Sequence, residues 1–321
     1  MTTVISMPQD ATNDTDMPAP GPESTASDTE AAWPTDTIDI MVGLLTLNHA
    51  GSIEVVLKSV VEGLRQFFPD ASALLVNCDA GSQDGTPGII TRLATGIIPV
   101  RTLSNAAGTY ANLTREQGFP GRDESIHTFC LTARRVRPKI CLIVEGQLRS
   151  INPSWIDHLG KPVYERGEDY VVPLFRRHRY EGTLATNLLY PLTRALFGKR
   201  LRYPSGGAYG MSGTFAGNLV ARPTWTGAAA KYSVDSRLTT AALAGGYRVC
   251  HTSLGARDQD TTLGTVDLSV VIAQSVGGVF HSMEEYESSW ETIKGSSEVP
   301  VYGDSESAPD PGPLHTGRMV S

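Results

Sequence analysis

Apolar and polar positions fall into a repeating order along the chain. From Ile38 to Leu45 almost every residue is apolar (Ile38-Asp-Ile40-Met-Val-Gly-Leu-Leu45), as in a strand covered on both faces. Ile53, Val56, Leu57, Val60, Val61, Leu64, Phe67 and Phe68 then recur at helical spacing. Ser52 is placed to cap that helix, and Pro69-Asp70 to stop it. Ala73–Val76 predicts a second strand, and Pro87 suits the first turn of a helix reaching about Leu93. Ile97-Ile98-Pro99-Val100 predicts a short third strand. A helix over Glu124–Arg135 and a buried strand at 140–144 follow, with a helix start at Asn152-Pro153. Farther on, the pattern predicts strands at Val171–Leu174 and Arg248–Thr252. It predicts helices at Leu188–Phe197 (broken only by Pro191), Asp235–Ala244, Val266–Val279 and Met283–Lys294.

Alternating strands and helices imply an α/β chain that opens with a parallel sheet, whose ligand crevice lies at the carboxyl ends of the strands. Two polar loops, 46–52 and 79–86, fall at such ends. Neither finishes in Gly-Lys-Ser/Thr, which excludes a phosphate-binding P-loop. Glu145-Gly146-Gln147 directly follows the strand at 140–144. Ser205–Gly210 reads as a loop where the backbone could approach a ligand closely.

Charge changes the picture at the ends. Residues 1–36 hold seven acids and no Lys or Arg. Removing them from the 34 acids leaves 27, equal to the 27 Lys and Arg. The body is therefore neutral, without the basic field that nucleic acid needs. Residues 1–36 are expected to be a disordered acidic tail, and 303–321, rich in Pro, Ser, Gly and Asp, a second one. No apolar run reaches the 18 or so residues of a membrane span, and no basic start precedes an apolar core. Cys78, Cys130, Cys141 and Cys250 lie in apolar contexts without CxxC spacing, as in a reduced, cytoplasmic protein without disulfides or zinc. His127 and His251 read as structural.

Leu45-Thr-Leu-Asn48 and Asp79-Ala-Gly-Ser-Gln-Asp-Gly-Thr86 resemble the corresponding loops of family 2-type GT-A glycosyltransferases. Tyr180-Glu-Gly-Thr183, Tyr190-Pro-Leu-Thr-Arg-Ala-Leu196, Gly206-Gly207, Asp235 and Leu254-Gly-Ala-Arg257 look like the bacterial glucosyl-3-phosphoglycerate synthase and mannosylglycerate synthase type. The likeness spans residues 38–302. It implies a Rossmann-like GT-A fold with a mixed central sheet and C-terminal helices. It also implies a nucleotide-sugar half at 37–150 and an acceptor half at 151–302.

The implied activity is transfer of a sugar from a UDP- or GDP-sugar to a small polar acceptor. On the donor side stand Leu45, Thr46, Leu47, Asn48, Asp79, Ser82, Arg122, Glu145, Gly146, Gln147 and Gln259, with Asp79 accepting from the base. Arg176, Tyr180, Gly182, Thr183, Gly206 and Gly207 line the acceptor side. Asp235, Glu145 and Arg257 are the candidates for catalysis, Asp235 orienting an acceptor hydroxyl and Arg257 gripping a phosphate. A homodimer through the terminal helices is a further expectation.

The chain departs from that pattern at the metal. Glu145 and Gln147 stand at the ends of the usual Asp-x-Asp, Gln259 replaces a metal-binding His, and Ala208 replaces an acid. Hard cations such as Mg²⁺ and Mn²⁺ want carboxylate oxygen, so Glu145, Gln147 and Gln259 form a poor ligand set. Two readings stay open. In one, Arg122, Arg257, Arg149 and the cluster Arg176, Arg177, His178 and Arg179 replace the metal charge in an active transferase. In the other, a catalytically degenerate homologue binds a nucleotide-sugar or a partner subunit. Simpler roles also stay open: a plain turn at 79–86, a solvated face at 176–179, a helix cap at Asp235, and pairing of Arg257 with Asp258 or Asp260.

Overall fold

The computed structural model describes residues 37–104, 121–176, 184–202, 207–221, 225, 233–257 and 268–303. Of the sites read from sequence, Arg177, His178, Arg179, Tyr180, Gly182, Thr183, Gly206 and Gln259 lie outside these residues, as do 1–36 and 304–321.

The strands are β1 (Ile40–Thr46), β2 (Ala73–Asp79), β3 (Val100–Ser104), β4 (Ile140–Glu145), β5 (Tyr170–Arg176), β6 (Ala208–Ser212), β7 (Val249–Ala256) and β8 (Val301–Tyr302). They form one sheet in the order β3-β2-β1-β4-β6-β5-β7-β8. The strands β1 to β4 are mutually parallel, and β6 runs antiparallel between β4 and β5. The sheet is thus mixed, as the resemblance implied. The helices are α1 (Ile53–Phe67), α2 (Thr86–Ala94), α3 (Arg122–Val136), α4 (Ser154–Tyr164), α5 (Tyr190–Phe197), α6 (Gly213–Leu219), α7 (Val234–Ala244), α8 (Leu268–Glu285) and α9 (Glu287–Trp290).

The sheet is covered on both sides. Met41, Leu45, Val76, Cys141, Ile143, Tyr209 and Met211 pack on one face with Phe129 of α3, Phe215 of α6 and Leu238 of α7. Ile40, Val42, Leu44, Leu142 and Val144 pack on the other with Val56, Leu57 and Val60 of α1 and Trp155 and Leu159 of α4. This double cover explains why β1 and β4 read as unbroken apolar runs. The four cysteines are free and buried, and burial pushes the Cys130 thiol up to about 12, which leaves it inert. His251 is structural: Nε2 accepts from the Arg202 amide (2.8 Å), which leaves the proton on Nδ1, 3.3 Å from the Val172 carbonyl. No helix among the described residues is long and apolar enough to cross a membrane.

Several elements differ from the expectation. The third strand begins at Val100, because Ile97 and Ile98 are tied to the Ala94 carbonyl at the end of α2. Pro191 does not break its helix. A π turn at Ala185–Leu189 leads into α5, Tyr190 donates to the Ala185 carbonyl, and Pro191 falls in the first turn, where no N–H is needed. Ser52 occupies the N-cap position of α1, but its hydroxyl donates to the Gly146 carbonyl at 2.7 Å instead of capping. Residues 254–256 extend β7, and the terminal helices divide at Tyr286.

The supposed loop at 205–210 contains the start of β6, which its glycines concealed. Gly210 serves packing: a Cβ there would meet the Leu159 carbonyl oxygen of α4 at 2.2 Å. Gly210→Ala is therefore expected to cost about 3 kcal/mol of stability. Gly51→Ala, which adds a methyl into open space, should shift it by no more than about 0.5 kcal/mol. Urea denaturation of the two variants makes the comparison.

Candidate active site

The carboxyl ends of β1 and β2 carry two loops that are stitched together. Asn48, in the left-handed region at φ 56°, donates its amide to Ser82 Oγ at 2.8 Å and accepts from the Gln83 amide at 2.8 Å. The His49 amide donates to Thr86 Oγ1 (2.9 Å), and the Ala50 amide to Asp84 Oδ2 (2.8 Å). Asp79 ends β2 as a buried carboxylate. It accepts from Thr46 Oγ1 (2.8 Å), Ser82 Oγ (2.6 Å) and the amides of Gly81 (3.0 Å) and Ser82 (2.8 Å). The Thr46 hydroxyl also lies 2.8 Å from Asn77 Oδ1; with that proton on Asp79, the four bonds use the acceptor capacity of a carboxylate. Accepting from a base would require one of them to be given up.

At the end of β4, the Glu145-Gly146-Gln147 segment is fixed through its backbone. The Glu145 amide donates to the Gly207 carbonyl (3.1 Å) and the Gly146 amide to the Leu45 carbonyl (2.9 Å). A side chain at Gly146 would strike His49 Nδ1 at 2.7 Å, so only glycine fits. Glu145 is 1% exposed and Gln147 5%. Glu145 Oε1 accepts from Arg122 Nε at 2.5 Å, and Oε2 from Gln147 Nε2 at 2.9 Å. Arg257 Nη2 stands 3.9 Å from the same Oε2.

Arg122 opens α3 directly after Gly121, whose φ of 80° suits glycine. It is buried, and besides Glu145 it donates from Nη2 to Asp235 Oδ1 at 2.8 Å. Asp235 lies in the first turn of α7, where the helix dipole favours a carboxylate. Tyr209 of β6 donates its hydroxyl to the same Oδ1 at 2.5 Å. Both donors take Oδ1, so Oδ2 is the oxygen that Asp235 can still offer.

Charges in this cluster hold one another. Burial alone would lower the Arg122 pKa, but Asp235 and Glu145 more than offset it and keep the guanidinium well above its ordinary value. Burial alone would raise Glu145, but Arg122 and Arg257, with the bonds from Arg122 and Gln147, hold its carboxyl below the ordinary value. Arg257 is placed differently. It lies over the Phe175 ring at 5.6 Å, and its Nε is buried with no hydrogen-bond partner among the described residues. A Cβ at Gly207 (φ 73°) would come within 2.7 Å of Glu145 Oε2 and 3.0 Å of Arg257 Nη2.

The structure thus brings Arg122, Glu145, Gln147, Gly207, Asp235 and Arg257 into one cluster. It brings Thr46, Asn48, Asp79 and Ser82 into another at the neighbouring strand ends. Arg176 ends β5, beside Ala256 of β7. Tyr209 was missed, because Gly206 to Gly210 reads as a loop. The signal for it was the alternation of Tyr209 and Met211, which marks a core-facing strand whose buried phenol needs a partner.

A divalent cation fits the described residues poorly. Both Glu145 oxygens are engaged by a guanidinium and an amide N–H, and Gln147 offers only an uncharged carbonyl oxygen. No group of three His, Cys, Asp or Glu able to hold a metal occurs among the described residues.

Removing one partner from a buried ion cluster leaves uncompensated charge. Arg122→Met is expected to destabilise the fold by about 3–5 kcal/mol, and adding Glu145→Gln and Asp235→Asn to recover part of that loss in urea denaturation. Because Glu145 is depressed when folded, its contribution is complete above its ordinary value of 4.5 and disappears as pH falls through the lowered one. Stability should therefore decline less steeply in acid for Glu145→Gln than for the wild type.

No family model matches the sequence, and no curated protein matches it. Solved structures do. Glucosyl-3-phosphoglycerate synthase from Mycobacterium tuberculosis with Mn²⁺, UDP and glucosyl-3-phosphoglycerate is 22% identical. The match covers 78% of this chain and 80% of that one, at a TM-score of 0.55. The same enzyme with Mn²⁺, UDP-glucose and phosphoglyceric acid matches at 22% identity and a TM-score of 0.54, and with Mg²⁺ and UDP at 21% and 0.54. Coverage is 78% of this chain and 80% of that one in both cases. The chain has the fold of these enzymes, a GT-A arrangement of a mixed central sheet flanked by helices.

Proposed function

We propose that the chain is a glycosyltransferase that moves a sugar from a nucleotide-diphosphate donor to a small polar acceptor. The fold supports this, because the M. tuberculosis structures that share it hold, with Mn²⁺, UDP and glucosyl-3-phosphoglycerate, or UDP-glucose and phosphoglyceric acid. The observation that carries it is Arg257: a half-buried guanidinium whose Nε–H has no hydrogen-bond partner among the described residues, set against the cluster that ends β4. Arg122 is also a cation, but it is buried and already paired with two carboxylates, Glu145 through Nε and Asp235 through Nη2. In this reading Arg122 fixes the two carboxylates, and Arg257 meets the charge that grows on the departing diphosphate. Asp235 presents Oδ2 to the acceptor hydroxyl. The stitched loops at 46–50 and 79–86 receive the nucleotide. Because the donor set suits guanidinium better than a hard cation, transfer proceeds without Mg²⁺ or Mn²⁺.

One observation favours a second reading. Asp79 and Glu145 are already satisfied within the protein, as in a site that binds without turning over. Calorimetry and transfer assays with UDP-, GDP- and ADP-sugars, with and without Mg²⁺ or Mn²⁺, separate the two. The transferase reading expects one donor to bind and to be transferred or hydrolysed equally well in EDTA. Binding without turnover would leave the second reading standing, and no binding to any donor would remove both.

Within the transferase reading, Arg257→Gln should lower kcat about 100-fold with the fold intact. Gln147→Ala should leave the response to Mn²⁺ unchanged. Strong Mn²⁺ dependence that disappears in Gln147→Ala would reverse the assignment of charge.

A further inference from the structure

A second concave site lies between α5, the β5–β7 part of the sheet and the segment around 298–301. It is a cavity of about 410 Å³ whose wall includes Arg194, Arg200, Arg202, Leu174, His251 and Glu298. Arg122, Glu145, Asp235 and Arg257 do not line it.

Its charge is poorly balanced. Arg200 pairs with Glu298 at 2.8 Å, but that carboxylate is 79% exposed and its attraction is screened by solvent. Among the described residues, the Arg194 side chain meets a hydroxyl, Ser296 Oγ, at 2.9 Å from its Nε and no carboxylate. The Arg202 guanidinium has no hydrogen bond or ion pair among the described residues, although its backbone is pinned to His251 Nε2 at 2.8 Å. Burial pushes the His251 imidazole down to about 4, so at neutral pH it adds a polar wall without charge. Three arginines, Arg194 and Arg202 exposed and Arg200 half-buried, therefore line one small cavity, with Glu298 the one carboxylate among its described lining residues. Clefts lined by one sign of charge focus the field and concentrate ions of the other sign. Guanidinium forks suit phosphate and carboxylate oxygens, and the volume falls in the range of small-ligand pockets.

We propose that this cavity binds a small, multiply charged oxyanion, a phosphate monoester or a polycarboxylate, at a site separate from the transferase crevice. Arg202 and Arg194 supply free donors, Arg200 a third on release from Glu298, and Leu174 an apolar wall for the carbon skeleton. The site stands whether or not the transferase reading holds, since it shares no residue with that cluster.

Calorimetry on the full chain at pH 7.5 and low salt tests it, with inorganic phosphate and citrate as separate probes. One saturable event is expected for at least one probe, and the stronger probe tells phosphate ester from polycarboxylate. Arg202→Gln and Arg194→Gln should each weaken it at least about tenfold. Arg257→Gln should leave it in place. Glu298→Gln, which removes the competing carboxylate, should tighten it a few-fold, a gain that misfolding cannot produce. The proposal is overturned if neither probe binds, if the Arg194→Gln/Arg202→Gln double variant binds like the wild type, or if Arg257→Gln abolishes the event.

Discussion

The buried guanidinium of Arg122 sets the terms for the cluster around it. It stands at the first residue of α3, and its two carboxylates belong to the end of β4 and the first turn of α7. Three elements far apart in sequence therefore meet on one side chain. Removing any one of the three would leave buried charge without its partner. This mutual dependence decides what each group has left to give. Among the described residues, Glu145 has both oxygens occupied, Asp235 keeps one, and Arg257 keeps an Nε–H without a partner.

The surrounding frame leaves the cluster little room to rearrange. The Glu145-Gly146-Gln147 segment is held by the carbonyls of Leu45 and Gly207 and by the Ser52 hydroxyl. Glycine is required at 146 and 207 because His49, Thr46, Glu145 and Arg257 fill the space a side chain would take. Behind it lies a sheet with helices on both faces, so shifting the end of β4 would disturb two cores at once.

Much of this frame was legible in the sequence, because local pattern carries it. The apolar runs of β1 and β4 and the helical period of α1 each depend on residues close in the chain. The loops at 46–52 and 79–86 could be placed at strand ends for the same reason. The pairings of Arg122 could not be read this way. Glu145 lies 23 residues away and Asp235 lies 113 away, so Arg122 read as a plain contact to a donor. β6 was hidden for a different reason. Its glycine at 210 answers to α4 packing, while glycines in a sequence suggest a turn. Ser52 misled in a smaller way: it sits where a cap belongs, and its hydroxyl serves a loop 94 residues distant.

The bonds between the loop after β1 and the loop after β2 have a consequence for kinetics. Four contacts, through Asn48 twice, His49 and Ala50, immobilise both segments before any ligand arrives. Ordering two surface loops costs conformational entropy, and here folding has already met that cost. A molecule that docks against them meets a rigid surface, so encounter need not wait for loop closure on that side. Fast arrival, with discrimination resting on shape and on how quickly a misfit leaves, follows from such a wall.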